Sequence, residues 1–160
     1  MKTFYLIIVL FLIAFIGCQQ SPKEITDDER NIIINEISQQ WKIIIDGLEQ
    51  QDIEIAFSGF SKSENTKYIR NGYIYPSIDT ARNEYASWWS NPDMPKNKVT
   101  FDPVIYDIID RNTVLLTALG SIVQVGNTDP NQKPWIIAYT VFWRKELDGW
   151  KIFNLHNSWE

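Results

Sequence analysis

The chain carries a single histidine, His156, two residues before Ser158. An imidazole with an ordinary pKa of about 6.5 can serve as acid, base or hydrogen-bond donor near neutral pH. His156 with Ser158 suggests a nucleophile and its base. On one strand, however, residues i and i+2 lie roughly 6–7 Å apart. A direct nucleophile–base hydrogen bond needs about 3 Å. No Gly-x-Ser-x-Gly elbow surrounds Ser158, so a triad is a poor reading. One histidine also cannot build a histidine-based zinc site, and the sequence points to no metal and no cofactor.

A second chemistry is proton abstraction by a carboxylate facing a tyrosine that stabilises an enolate. Asp52, Asp102, Asp107 and Asp110 are the carboxylates to weigh. Asp107 is the best single candidate, because it interrupts an apolar run between Tyr106 and Ile108. Tyr68, Tyr73, Tyr106 and Tyr139 can donate to an oxyanion. The alternatives are that Asp107 faces solvent and that Asp52 merely caps a helix. A third possibility is binding without chemistry. Tyr68, Trp88, Trp89, Tyr106, Tyr139 and Trp143 can line a flat apolar cavity, with His156, Ser158 and Arg70 as its polar groups. Arg70, beside Asn71-Gly72, can meet an anion or point into water.

These residues need elements to hold them. Thr26-Asp27-Asp28-Glu29 is a capping box, and Ile33, Ile37, Trp41, Ile44 and Leu48 follow helical spacing beyond it. A long amphipathic helix is expected over about 27–50. Asp52 caps a short helix to about Phe57, and Asn71-Gly72 marks a tight hairpin. Ser77 or Asp79 caps a third helix running to about Trp89. Its closing pair, Trp88-Trp89, is unusual, since both rings are not expected in one core. From Lys98 the period becomes two, with strands at about 98–109, 113–125, 134–145 and 150–159. Short links make them an antiparallel meander. Helices first and a long sheet last is an α+β pattern. Strict alternation puts Trp150, Ile152, Asn154, His156 and Ser158 on one face of the last strand. Lys151, Phe153, Leu155, Asn157 and Trp159 then share the other.

The N-terminus reads differently. Lys2 precedes an unbroken apolar run from Phe4 to Ile16 and then Gly17-Cys18. That run is short for a membrane span and suits a signal peptide over 1–17. Phe15-Ile16-Gly17-Cys18 resembles a bacterial lipobox, with lipidated Cys18 as the mature N-terminus. Residues 18–25 would then tether a domain of 26–160 to a bacterial envelope membrane, outside the cytoplasm. Cys18 is the one cysteine, so no internal disulfide is available. The chain's net charge of −5, without a basic stripe, argues against nucleic acid as a partner.

The order of elements resembles the nuclear transport factor 2-like superfamily, in its SnoaL-like, ketosteroid-isomerase-like branch. The residues that carry this are Trp41 with Gln51-Asp52, Tyr68-Ile69-Arg70-Asn71-Gly72 and Tyr139-Thr140-Val141-Phe142-Trp143-Arg144-Lys145. Gly149-Trp150-Lys151-Ile152, His156 and Ser158 complete it, over about Thr26 to Ser158. The resemblance implies a cone-shaped α+β fold, a pocket between helices and a curved, mostly antiparallel sheet, and frequent homodimers. It implies mixed functions, which fold alone does not separate. Three readings follow. The first is a lipid-anchored protein binding a small, partly apolar ligand. The second is an isomerase-, cyclase- or dehydratase-type enzyme using Asp107 or His156. The third is a structural dimerisation module.

Overall fold

A computed structural model describes residues 24–129 and 131–160. The segment expected to be a signal peptide, and Cys18, lie outside the described residues. The elements are α1 (Asp27–Gln50), α2 (Ile53–Phe57), β1 (Lys67–Arg70), β2 (Tyr73–Ile74), α3 (Ile78–Trp89), β3 (Asn97–Asp110), β4 (Thr113–Gln124), β5 (Trp135–Glu146) and β6 (Gly149–Trp159).

Helix α1 begins where the capping box places it. The Thr26 hydroxyl accepts from the Glu29 N–H, and the Glu29 carboxylate accepts from the Thr26 N–H. Arg111, in the β3–β4 turn, donates to Glu29 and to the Glu24 carbonyl, which fixes this end of the helix against the sheet. Ile33, Ile37, Trp41, Ile44 and Ile45 form its buried stripe. At the far end Gln51 takes a left-handed conformation, φ 62°, and the chain turns directly into α2, capped by Asp52. Gly47 permits that turn, because a Cβ there would lie 2.5 Å from the Ala56 backbone nitrogen.

The sheet has six strands in the order β2-β1-β6-β5-β4-β3. β3 to β6 form the antiparallel meander, while β1 adds in parallel beside β6. Its concave face receives α1. Trp41 is the key, with its ring edge-on to Tyr139 at 5.3 Å and to Trp143 at 6.4 Å. Val114, Leu116, Ile137, Val141, Trp143 and Ile152 complete a core that closes within the described residues. Each such side chain contributes roughly 1.5–3 kcal/mol by leaving water. The α+β reading therefore holds, with helices packed on a curved, mostly antiparallel sheet.

Two irregularities decide which side chains face the helices. β3, an edge strand, shifts register between Phe101 and Val104, where Pro103 has no N–H to offer a ladder. β6 shifts opposite Phe142 and Trp143, which pair with Asn154 and Ile152 and leave Phe153 unmatched. This is a β-bulge, and one extra residue exchanges the faces of everything beyond it.

Candidate functional site

The bulge at Phe153 overturns the strict alternation expected for β6. Trp150 and Ile152 point inward, as do Leu155 and Asn157, but His156 and Ser158 turn to the convex face and are exposed. Asp107 is exposed on that same face, since its β4 partner is the outward-facing Leu115. The carboxylate and the imidazole offered for catalysis therefore lie on the far side of the sheet from the cavity beneath α3, His156 bordering a second groove there with Phe142 and Phe153. Asp52 is spent on capping α2, and Asp110 accepts from the Asn112 N–H in a turn. Trp143 is wholly buried in the core and lines nothing. Tyr106 faces inward, but its hydroxyl is 2.8 Å from that of Ser38 on α1, away from the cavity.

The cavity lies at the end of the domain where α1 and α3 finish. Its volume is about 470 Å³, within the usual range for small-molecule sites of roughly 300–1,000 Å³. Leu48 from α1 and Gln51 just beyond it close one side, Tyr85, Trp88 and Trp89 from α3 another, and Met94 comes from the loop that follows. The sheet supplies Asn97, Val99, Ile122, Trp135, Ile137, Tyr139 and Trp159, and β1 ends in it with Arg70. Gln51 holds the mouth in shape by donating to the Pro95 carbonyl at 3.0 Å.

Trp88 and Trp89 both face this space, although adjacent residues on a helix were not expected to share one core. Tyr85 lies between them, with ring centroids 5.0 Å and 5.3 Å away. Successive residues straddle the same face when that face is a broad cavity instead of a packed seam. Trp135 and Trp159 close the opposite side from two strand ends. The signal for them was present in the sequence, as tryptophans at the start of one strand and the end of its neighbour. The bulge hid it by reversing the apparent face of Trp159.

Arg70 sits inside this aromatic wall. Its guanidinium carbon is 4.2 Å from the Trp88 ring centroid and 5.4 Å from that of Trp159. Nη2 donates to Glu84 at 3.0 Å, and Tyr75 donates to the same carboxylate oxygen at 3.0 Å. The arginine side chain is only 18% exposed, so it does not point into water as a hairpin arginine commonly does.

Below the cavity lies a tyrosine cluster. The Tyr68 and Tyr85 hydroxyls are 2.7 Å apart, and Asn157 donates to Tyr68 at 3.3 Å. Tyr68 is thus part of the floor's support and does not line the cavity itself. Burial raises the Tyr68 phenol well above its ordinary range, and burial raises Tyr139 likewise. Both stay protonated and can donate, but neither is a base. The buried Oδ1 atoms of Asn97 and Asn157 meet no donor from the described residues.

No aspartate, glutamate or histidine lines the cavity. Among the described residues no cluster of histidine, cysteine, aspartate and glutamate could hold a metal ion. No helix there is long and apolar enough to cross a membrane. The arrangement can enclose a ring-bearing molecule between indoles and donate hydrogen bonds to it. Its lining holds no carboxylate and no imidazole.

No family model matches the chain, and no curated protein matches it. Solved structures do. A candidate dehydratase of the nuclear transport factor 2-like family from Streptomyces avermitilis aligns with TM-score 0.67 at 16% identity, over 81% of this chain and 96% of that one. A candidate scytalone dehydratase from Novosphingobium aromaticivorans gives 0.68 at 9% identity, over 84% and 89%. A nuclear transport factor 2-like protein of unknown function from Shewanella oneidensis gives 0.62 at 17% identity, over 78% and 98%. At such identities the likeness is one of architecture, and this chain has the nuclear transport factor 2-like fold.

Proposed function

We propose that this chain is a binding protein of the bacterial cell envelope that holds a small, partly apolar molecule in the cavity beneath α3. The observation that carries the reading is the cavity wall. It is rich in indole and aliphatic surface, has a few hydrogen-bonding groups, and has no carboxylate or imidazole. An apolar wall with few polar groups is what a binding site requires. An isomerase- or dehydratase-type reaction needs an acid or base within reach, and the two candidates for that role face away. The test is native mass spectrometry of residues 20–160 released from the protein's own envelope. A co-purifying molecule that Trp135→Ala releases supports the reading. Protein that is always empty, with a cavity that takes up no apolar compound, sinks it.

Membrane attachment through lipid on Cys18 is part of the same proposal. Cys18→Ser is expected to move the protein from the membrane fraction to the soluble one. Acylation of one cysteine by more than one chain gives stable anchoring. Unchanged fractionation overturns this part and leaves the binding reading intact.

A homodimer through the convex sheet face is favoured by what that face exposes. Ile105, Leu119, Val123 and Ile136 are all more than a third exposed, and they lie together on neighbouring strands. Contiguous apolar surface of this kind marks an association site more often than a solvated one. The same face against itself makes a closed two-fold contact.

A further inference from the structure

We infer that the cavity selects a flat, ring-bearing molecule carrying one anionic group, with Arg70 as the residue that receives the anion. This rests on the binding function proposed above and specifies its ligand class. Among the described residues, Arg70 supplies the only formal charge on the cavity wall. Its partner Glu84 does not line the cavity, so an entering molecule meets the cation and not the carboxylate. The guanidinium lies over the Trp88 ring, with its carbon 4.2 Å from the centroid, which holds it at the wall. A guanidinium has five N–H donors, and Glu84 engages Nη2. A second planar acceptor suits such a fork, because carboxylates and guanidinium groups match in geometry.

The surrounding walls set the rest of the ligand. Trp88, Trp135 and Trp159 supply indole surface to the cavity, on which flat rings pack well. A cationic ligand is disfavoured beside Arg70, although an aromatic cage without Arg70 would favour one. Like charges repel, and the Glu84 carboxylate that pairs with Arg70 lies behind the wall and not on it. A purely aliphatic neutral molecule would gain nothing from the guanidinium, which Glu84 already pairs.

The test uses two probes of the same shape, 2-naphthoate and 2-acetylnaphthalene. One carries a carboxylate and the other a neutral methyl ketone. Residues 20–160 contain the whole described core, and circular dichroism melts check that each variant folds. Equilibrium dialysis at pH 7.5 then gives both dissociation constants. Naphthoate is expected to bind on the order of tenfold or more tightly than the ketone, as a charge-assisted hydrogen bond allows. Arg70→Met should remove that preference while leaving ketone binding within about threefold, on the same scale. Glu84→Gln should strengthen naphthoate binding alone, since it removes the competing carboxylate; a merely structural Arg70–Glu84 pair predicts no gain. Trp135→Ala should weaken both probes, and the convex-face variant Leu119→Lys neither. Equal binding of both probes that Arg70→Met leaves equal overturns the anion inference and spares the pocket. Binding of neither probe overturns the pocket itself.

Discussion

His156 stands directly opposite Thr140 across β5 and β6, and its ring faces out over the convex sheet surface. Its neighbour Asn157 stands opposite Tyr139, and both of those point inward. One residue of register thus moves the histidine from the cavity beneath α3 to a groove on the convex face that it lines with Leu115, Thr140, Phe142 and Phe153. His156→Ala and Asp107→Asn are therefore expected to leave ligand binding unchanged. Each should alter stability by less than about 0.5 kcal/mol, as surface substitutions usually do. Calorimetric binding and thermal melts check this. A loss of binding in either variant would place the site on the wrong side of the sheet.

Gly47 gives a prediction of opposite sign to helix propensity. Replacing an exposed mid-helix glycine by alanine usually stabilises a helix by about 0.8–1 kcal/mol. Here the new methyl group would lie 2.5 Å from the Ala56 nitrogen and 2.8 Å from the Ile55 carbonyl carbon, both backbone atoms. Backbone yields poorly, so Gly47→Ala should destabilise by roughly 1–3 kcal/mol, the range for overpacking. Urea unfolding measures it. A variant that is more stable than the parent would mean that α2 can move off α1 at little cost.

Glu29 ties the start of α1 to Arg111. Hydrogen bonds from the Arg111 side chain, followed by that from the Thr26 backbone, hold its carboxyl at about 2 instead of 4.5. A lowered folded-state pKa means that the charged form is the one that stabilises the fold. The contribution is complete above the unfolded value and is lost as pH falls from about 4.5 toward about 2. Glu29→Gln should therefore flatten the fall of melting temperature across that window and change little above it. The effect should be modest, because the pair is open to solvent and screened by salt. An undiminished slope in the variant assigns the acid sensitivity to other carboxylates.

The convex face carries the oligomer prediction. Leu119→Lys places a charge among Ile105, Val123 and Ile136 without touching the core or the cavity. Sedimentation equilibrium of residues 20–160 should show a dimer that this single change converts to a monomer. A parent that is monomeric at all accessible concentrations would remove the two-fold contact from consideration.

The sequence was most legible where local rules act alone. The Thr26 box, the Asp52 cap and the Ser77 cap each sit where short-range hydrogen bonding puts them. Trp41 was readable as core because helical spacing and apolar identity agree. The site was less legible because it depends on strand parity. Trp150, Ile152 and Leu155 are buried, and the three-residue step from Ile152 to Leu155 is the trace of the bulge in the sequence. Strict alternation steps past it and assigns His156 to the wrong side. The parallel pairing of β1 with β6 was also hidden, since no local pattern records which distant strand a short hairpin will join. That pairing brings Arg70 beside Asn157 and the end of β6. It turns a hairpin residue into part of the cavity wall.

Helix α1 has a further consequence. Its first turn is clasped by Arg111, and its last residues border the cavity. A helix of 24 residues spans about 36 Å at 1.5 Å per residue. The Arg111 clasp and the indole-lined cavity therefore sit at opposite poles of the helix. A load on one pole is carried along a stiff rod and does not obstruct the other. The domain can be held fast at its base and remain open at its tip.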